Sequence, residues 1–182
     1  MSLIYITGVS GTGKSTILKE LQARGYKAYG VDENGYADWV NHETGNVDIF
    51  PHNDPDLVDM HQWFHHHAWV INAKKIAELK RRVDSSHTTI FLCGAGIGEE
   101  AAWQYFDCVI ALLIDPDTLK LRIAARTDNQ YGKTSEELTR ALAWQAKHNA
   151  TYYAQRGAIL VDATQPVEVV VGSVVECLAA YL

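Results

Sequence analysis

The sequence is poor in cysteine, and its few cysteines are widely separated. Cys93, Cys108 and Cys177 are the three cysteines of the 182-residue chain, and no two of them form a CxxC pair. This spacing indicates neither a disulfide framework nor a zinc ribbon. We therefore expect a reduced, cytoplasmic location.

Long apolar runs and a basic amino-terminal segment are also missing. The chain begins MSLIYITG, with no basic region ahead of a short apolar run, and no apolar segment reaches membrane-spanning length. We therefore predict neither a signal peptide nor a membrane-spanning segment. We therefore expect no membrane partner.

Positive charge is scarce. Lys and Arg total 16 against 22 Asp and Glu, so the formal net charge is −6. A protein that grips a phosphodiester backbone needs a dense Lys/Arg face, and we therefore expect no nucleic acid polymer as partner. The apolar content of 47% with 21% charged residues is ordinary for a globular protein, and the length fits one domain over residues 1–182.

Five short runs rich in β-branched residues predict the strands of a parallel sheet. The runs are apolar throughout, as in strands covered on both faces, and stretches with helical spacing separate them. This alternation predicts a three-layer α/β domain with a five-stranded parallel sheet. The predicted strands are 3–7, 27–32, 88–94, 108–115 and 158–162, and the predicted helices are 14–24, 56–83, 99–105, 116–126, 135–156 and 167–182.

Several end signals support these elements. Gly25 and Gly157 suit left-handed helix ends, and Pro116 suits a first helical turn. Thr134 and Glu137 have the spacing of a capping box.

One edge of the predicted sheet collects chemically useful residues. Ligands of such sheets bind beyond the carboxyl ends of the strands, where Thr7, Asp32, Gly94 and Asp115 are expected. The stretch 33–55 is rich in Asn, Asp, Gly and His and is predicted to be a long loop. Long loops in compact domains are usually functional.

The octapeptide GVSGTGKS at residues 8–15 matches G-x-x-x-x-G-K-[ST] at every fixed position. Glycines let backbone amides surround a phosphate, the lysine reaches the β and γ oxygens, and the serine hydroxyl binds Mg²⁺. A predicted strand precedes the motif and a predicted helix follows it, which is the context a phosphate cradle requires. The alternative is a chance match in an ordinary strand-turn-helix.

Three classes of protein use such a motif: small-molecule kinases, GTPase switches and ATPase machines. DENG at residues 32–35 satisfies D-x-x-G, but no N-K-x-D follows for guanine. The run TTIFLCG ends in glycine instead of the carboxylate pair typical of ATPase machines. Both observations favour a kinase.

The order of motifs resembles the small-molecule kinases of the adenylate kinase-like group, particularly the shikimate and gluconate kinase type. The P-loop begins at Gly8, Asp32 ends the second predicted strand, and the glycine-rich turn 93–96 ends the next one. RIAARTDN from Arg122 resembles the opening of a short lid at about 127–135, and DATQP at 162–166 resembles a segment that borders adenine. The resemblance implies a P-loop fold, and ATP and Mg²⁺ as cofactors.

The resemblance also implies roles for individual residues. Asp32 would accept or orient the proton of the attacking hydroxyl, Arg122 would pack over adenine, and Arg126 would stabilise the transferred group. The alternatives are a loop cap for Asp32 and solvated charges for the arginines and Lys133. Implied catalytic residues are Lys14, Asp32, Arg126 and Lys133; implied nucleotide ligands are Gly8, Ser10, Gly11, Thr12, Gly13, Lys14, Ser15, Thr16, Arg122 and Pro166; implied metal ligands are Ser15 and Asp32.

The region expected to bind the phosphoryl acceptor, at about 33–73, departs from the family pattern. No Lys or Arg lies between Ala28 and Ala73, whereas eight carboxylates and six of the eight histidines do. Anionic acceptors need a bidentate cation, so we expect a neutral or cationic acceptor: a nucleoside, a sugar or polyol, or an amino-bearing metabolite. Tyr36, Trp39, Trp63, Phe64 and Trp69 could line its pocket or simply fill the core.

Three alternatives stay open. A nucleoside monophosphate kinase would take its phosphate-binding arginines from Arg81, Arg82 or the lid, and a regulatory domain would bind nucleotide without transferring a group. His61 and His65 have i, i+4 spacing, but no HExxH motif or second cluster supports a metal site there. The oligomeric state is not predicted.

Overall fold

The computed structural model describes residues 1–51, 60–86, 88–127 and 132–177. Its strands are β1 Leu3–Thr7, β2 Lys27–Gly30, β3 Ala37–Asn41, β4 Val47–Asp48, β5 His67–Ile71, β6 Ile90–Cys93, β7 Cys108–Leu113 and β8 Ile159–Asp162. Its α-helices are α1 Lys14–Ala23, α2 Met60–His66, α3 Ala73–Ser86, α4 Pro116–Ala125, α5 Ser135–Lys147, α6 Ala150–Ala154 and α7 Val167–Glu176. A 3₁₀ helix spans Glu99–Tyr105.

The main sheet is parallel and has five strands in the order β2-β6-β1-β7-β8. Apolar side chains of α1 and α7 pack on one face, and those of α3 and the 3₁₀ helix pack on the other. The central strand β1 is buried along its whole length, which explains why its residues are all apolar except Thr7. The predicted three-layer architecture is therefore confirmed.

A second sheet was not predicted. Strands β4, β3 and β5 form a small antiparallel sheet within the stretch expected to be a loop followed by a helix. The predicted helix 56–83 is wrong over β5, because HAWVI is β-branched and aromatic and pairs with β3 from Ala37↔Ile71 to Asn41↔His67. Residues 56–59 of that predicted helix, and residues 52–55 of the predicted loop before it, lie outside the described residues.

Several further boundaries differ from the predictions. Strand β6 is Ile90–Cys93, where 88–94 was predicted, and β7 ends at Leu113, where 115 was predicted. Strand β2 ends at Gly30, so Asp32 lies in the turn after the strand. The single helix predicted for 135–156 is two helices, because the Asn149 side chain accepts a hydrogen bond from Tyr152 N and begins α6. Helix α7 is described as far as Glu176, and the last five residues of its predicted range lie outside the described part.

The predicted helix ends are otherwise confirmed. Gly25 and Gly157 have positive φ angles, and Pro116 is the first residue of α4. Thr134 and Glu137 form the capping box of α5. Asp115 caps α4 by accepting hydrogen bonds from Asp117 N and Thr118 N.

Candidate active site

The loop between β1 and α1 is shaped by close backbone packing. Gly8 has φ +148°, and a Cβ there would lie 2.7 Å from Leu112 O. A Cβ on Gly11, at φ +92°, would lie 2.7 Å from Leu119 Cδ1. Any other residue at these positions would combine backbone strain with a steric clash. The glycines of the motif are therefore required by the fold as well as by a ligand.

The amino terminus of α1 has the features of an anion site. Its N-cap Gly13 provides no side-chain cap, and the first turn contains no acidic residue. The first amides of a helix need an acceptor and carry the positive end of its dipole. Ser15 and Thr16, in that first turn, are exposed. A phosphate at this position would satisfy the amides and meet both hydroxyl groups.

Lys14 is bonded to its own loop. Its Nζ donates to Gly8 O at 2.6 Å and to Val9 O at 3.0 Å. Burial lowers the pKa of Lys14 to about 8, although the negative charges of Glu99 and Asp32 oppose this decrease. The ammonium group is thus held against two carbonyl groups of the loop, and its pKa of about 8 lies near neutral pH.

Arg122 of α4 and Arg126, the residue that ends this helix, reach the same loop. Arg122 donates to Thr12 O at 3.3 Å and to Ala163 O at 2.7 Å, and it thereby joins the loop to the segment after β8. Arg126 Nη1 donates to Ser10 Oγ at 3.1 Å. Helix α4 was predicted to include both arginines, but Arg126 is its C-cap and has an extended backbone, so the helical i, i+4 relation does not apply to it. Their predicted division of roles stays a prediction.

A cleft of about 590 Å³ brings these groups together. The segment after β8, the start of α7, Asp32 and Ala95 complete its lining. The lining residues are Ser10, Gly11, Thr12, Gly13, Lys14, Ser15, Thr16, Ile17, Asp32, Ala95, Arg122, Ala125, Arg126, Ala163, Gln165, Val167 and Val170. Most of the residues singled out from the sequence therefore share one cavity.

Three of the predicted site residues lie outside this lining. Gly8 precedes it in the loop, and Pro166 is the N-cap of α7, between Gln165 and Val167. Lys133 donates to Ala124 O at 2.7 Å, on the outer side of α4. Residues 128–131 of the expected lid lie outside the described residues, so the role of Lys133 in a lid stays a prediction.

Asp32 is exposed in the turn after β2 and accepts a hydrogen bond from Trp69 Nε1 at 2.8 Å. This contact joins two sequence positions 37 residues apart. It fixes the carboxylate between the phosphate loop and the small sheet. As a loop cap, Asp32 would accept a hydrogen bond from a backbone amide. No such bond is present among the described residues.

Five rings form an aromatic cluster on the small sheet and α2. Trp39 is at its centre, with its ring centroid 5.2 Å from that of Trp69 and 5.0 Å from that of Trp63. The members are Trp39, Phe50, Trp63, Phe64 and Trp69. Phe64 is 45% exposed, so the cluster is not a closed core. Tyr36, which was grouped with these rings, is buried and accepts from Arg82 on α3 instead.

The histidines near this cluster pair with carboxylates. His67 Nε2 lies 2.8 Å from Asp48 Oδ2, and His66 Nδ1 lies 3.1 Å from Glu43 Oε1. Burial opposes a charge on His67, but the contacts with Asp48 and with Trp63 O raise its pKa above the ordinary value. Within the described residues, no group of three or more His, Cys, Asp or Glu side chains could hold a metal. The side chain of His61 is not among those described.

Glu99 is a site residue that the sequence analysis missed. It is 5% exposed and accepts from Tyr5 OH at 2.9 Å and from Thr7 Oγ1 at 2.8 Å, beneath the phosphate loop. Burial raises the pKa of its carboxyl group, and the two hydroxyl groups oppose the increase. The signal available in the sequence was weak, because GIGEE contains two adjacent glutamates and nothing local indicates which is buried.

A family model described as an AAA domain matches residues 4–145 of the chain. The chain belongs to this AAA domain family. Among curated proteins, none matches it. No described helix of this family member is long and apolar enough to cross a bilayer.

Solved structures of kinases share the fold of this AAA domain protein. A sugar kinase from Janibacter sp. HTCC2649 is 21% identical over 97% of this chain and 94% of its own, with a TM-score of 0.56. The deoxyadenosine kinase of M. mycoides with bound dATP is 17% identical over 98% and 100%, with a TM-score of 0.55. The shikimate kinase of Acinetobacter baumannii in complex with shikimate is 12% identical over 100% and 94%, with a TM-score of 0.60. The predicted P-loop kinase fold is thus confirmed.

Proposed function

We propose that the protein is an ATP- and Mg²⁺-dependent kinase that transfers the γ-phosphoryl group to a hydroxyl group of a neutral or cationic small molecule. The observation that carries this proposal is the shared cleft, which holds the phosphate loop with Lys14, the guanidinium of Arg126 and the carboxylate of Asp32. Phosphoryl transfer requires positioning and charge neutralisation, and these three groups supply both. The similar kinase folds support the same reaction class.

The residues of the cleft fit a nucleotide triphosphate. The loop amides and Lys14 would hold the β- and γ-phosphates, and Arg122, fixed between Thr12 O and Ala163 O, would lie against the base. Ser15 and Asp32 would hold Mg²⁺, which usually keeps several waters and binds one or two protein groups plus phosphates. The lack of an all-protein metal cage among the described residues agrees with this mode. Bound Mg²⁺ neutralises charge on the phosphate oxygens.

The chemistry of the transfer follows from the positions of the charged groups. The acceptor oxygen forms a bond to the γ-phosphorus, the bond from that phosphorus to the bridging oxygen breaks, and ADP leaves. Asp32 takes the hydroxyl proton. The hydrogen bond from Trp69 Nε1 holds its carboxylate in place on the side of the cleft where the acceptor would bind. Lys14 and Arg126 stabilise the negative charge of the transferred group.

The acceptor side supports a neutral or cationic substrate. Residues 29–72 contain no Lys or Arg, and Lys75 just beyond them is bonded to Asp38 at 2.7 Å. Trp69 belongs to the aromatic cluster and also donates a hydrogen bond to Asp32. The carbon skeleton of an acceptor could therefore pack on these rings while its hydroxyl group contacts the carboxylate.

The monophosphate kinase alternative receives less support. Arg81 and Arg82 lie on α3, and Arg82 donates to Tyr36 OH at 3.3 Å. Both arginines line surface grooves on α3, and neither lines the cleft. An anionic acceptor would therefore lack its cationic partner on this side of the site.

Replacing Asp32 with Asn tests the proposal. We expect turnover in a coupled ADP-release assay with a panel of nucleosides, sugars and amino sugars to fall by about 10²- to 10⁴-fold, because the general base is lost. The Kd of an ATP analogue measured without Mg²⁺ should change by less than about threefold, since the loop amides and Lys14 are intact. Asp117→Asn, an exposed carboxylate on α4, is the matched control.

Three results would contradict parts of this proposal. Unchanged turnover in Asp32→Asn would remove Asp32 from the mechanism. Activity confined to nucleoside monophosphates would contradict the acceptor class. Nucleotide binding without phosphorylation of any acceptor would instead identify a regulatory nucleotide-binding domain.

A further inference from the structure

A second, much smaller cavity lies beside the phosphate cleft. It has a volume of about 30 Å³, and Ala95 lines both spaces. Its lining residues are Ala95, Gly96, Ile97, Gly98, Glu99, Glu100, Trp144, His148 and Tyr153. No Lys or Arg is among them, so the cavity differs in charge from the neighbouring cleft. We call it the Glu99 cavity.

The position of the Glu99 cavity is set by the turn between β6 and the 3₁₀ helix. Gly94 N in this turn donates to Ile6 O of β1 at 3.0 Å. Ile97 N donates to Trp69 O at 2.9 Å, and Ile97 O accepts from Ile71 N at 3.1 Å, which ties the turn to β5. The turn is therefore bonded both to the strand that leads into the phosphate loop and to the sheet that carries the aromatic cluster.

Glu99 has one oxygen left for a ligand. Tyr5 OH and Thr7 Oγ1 both donate to Oε2, and Oε1 has no hydrogen-bond partner among the described residues. The side chain is 95% buried and lines the cavity. Oε1 is not among the fully buried side-chain atoms that lack a hydrogen-bond partner in the described residues, so it keeps some exposed surface. It is therefore free to accept a hydrogen bond from a ligand that enters the cavity, and a positively charged donor would suit it best.

The other walls also suit a cation. Glu100 accepts a hydrogen bond from Tyr152 OH and provides a second carboxylate. The rings of Trp144 and His148 stack with centroids 4.0 Å apart. Burial lowers the pKa of His148, and its Nδ1 lies 2.9 Å from Trp144 O. The carbonyl can only accept, so Nδ1 carries the proton and Nε2 of the neutral ring is an acceptor.

We propose that the Glu99 cavity binds a primary ammonium group of the phosphoryl acceptor, with Glu99 Oε1 as its anchor. This inference rests on the proposed kinase function, and it selects amino-bearing molecules from the wider class of neutral or cationic acceptors. In this arrangement the acceptor hydroxyl would meet Asp32 in the cleft, and its amine would enter the neighbouring cavity, with Ala95 lining both spaces.

The size of the cavity sets a further limit. A space of about 10 to 15 Å³ measured in this way holds one water, and an ammonium group has nearly the size of a water molecule. The Glu99 cavity therefore has room for a primary ammonium and at most one water. Quaternary ammonium groups are too large.

The test compares Glu99→Gln with the wild-type protein on matched acceptors. In the Gln variant the amide oxygen can keep the bonds from Tyr5 and Thr7, while the amide NH₂ faces the cavity and the charge is lost. Glucosamine with glucose, and 2-deoxystreptamine with myo-inositol, serve as pairs that contain or lack amino groups. Glu78→Gln, an exposed carboxylate on α3, is the control.

We expect the wild type to prefer the amino member of a pair in kcat/KM, and Glu99→Gln to reduce that preference by about tenfold or more. The Kd of an ATP analogue and the Tm should stay near the wild-type values, which separates loss of the amine contact from loss of the fold. An equal decrease for both members of each pair would show that Glu99 only supports the phosphate loop, and would overturn the proposal.

A binding measurement separates this proposal from the kinase proposal. Methylammonium chloride is titrated into the protein, with NaCl as the ionic-strength control and tryptophan fluorescence as the signal. Saturation on the order of 10 mM is expected for so small a ligand, with no saturation by tetramethylammonium or in Glu99→Gln. This result would support the cavity even if no acceptor were phosphorylated. Identical curves for wild type and Glu99→Gln would identify a cavity for water only.

Discussion

The nucleotide side and the acceptor side of the cleft are built from different parts of the chain. The proposed nucleotide side is backbone from one continuous loop, where Gly8 and Gly11 leave no room for a Cβ, and the charged side chains around it are Lys14, Arg122 and Arg126. The proposed acceptor side is made of side chains from separate segments, with the carboxylates of Asp32 and Glu99 and the ring of Trp69 among them. A shared ligand such as ATP can be bound by backbone, whereas selection of a particular acceptor requires side chains.

The largest expected effect concerns the backbone of the nucleotide side. Gly8→Ala should lower the free energy of unfolding by about 3 kcal/mol, because the new Cβ meets Leu112 O in a backbone conformation that alanine avoids. Gly25→Ala, also at positive φ but with nothing within 4 Å, should cost about 1 kcal/mol. Gly172→Ala, inside α7 with open space around it, should instead stabilise by about 0.5 to 1 kcal/mol. Urea unfolding measures all three, and equal effects would refute the steric argument.

The next effect concerns the charge of the nucleotide side. The ammonium of Lys14 is protonated below its pKa of about 8 and becomes neutral above it. The Kd of an ATP analogue should therefore be constant below about pH 8 and rise by up to about tenfold per pH unit above it, since the free protein must take up a proton to bind.

The control for this titration is Lys14→Met. Its binding should be weak at every pH and show no change of slope near pH 8. Lys19→Met, an exposed position on the same helix, should keep the wild-type profile. A wild-type Kd that does not vary up to pH 9.5 would show that Lys14 does not contact the phosphates.

A smaller effect is expected on the acceptor side. Trp69→Phe keeps a ring in the aromatic cluster but deletes the Nε1 donor to Asp32. Turnover should fall by about fivefold, which corresponds to about 1 kcal/mol, because water can partly replace the lost donor at the exposed Asp32, while ATP affinity is unchanged. Trp103→Phe, whose Nε1 has no partner within the described residues, is the matched control and should lose no turnover. A loss of ATP affinity in Trp69→Phe would show that the acceptor side also contributes to nucleotide binding.

The same contrast explains what could be predicted from the sequence. The phosphate loop was predictable because its requirements are local: glycines at fixed positions, a lysine and a hydroxyl between a strand and a helix. The five strands of the main sheet were predictable because burial on both faces makes them apolar throughout.

The acceptor side could not be predicted in the same way. Strand β5 begins at His67, directly after α2 ends at His66, with no glycine or proline at the junction, and its pairing with β3 and with Ile97 makes it a strand. The bond from Trp69 to Asp32 and the bonds from Tyr5 and Thr7 to Glu99 join positions 37 to 94 residues apart. Such contacts depend on the completed fold, and no local spacing encodes them.

The turn that contains Ile97 contacts both the small antiparallel sheet and the phosphate cleft. Ile97 is bonded to β5 on one side, and the neighbouring Ala95 lines the cleft on the other. A molecule that shifts the small sheet therefore also shifts part of the surface that a nucleotide contacts. Such coupling is reciprocal: whatever factor the acceptor imposes on the affinity for nucleotide, the nucleotide must impose on the affinity for acceptor.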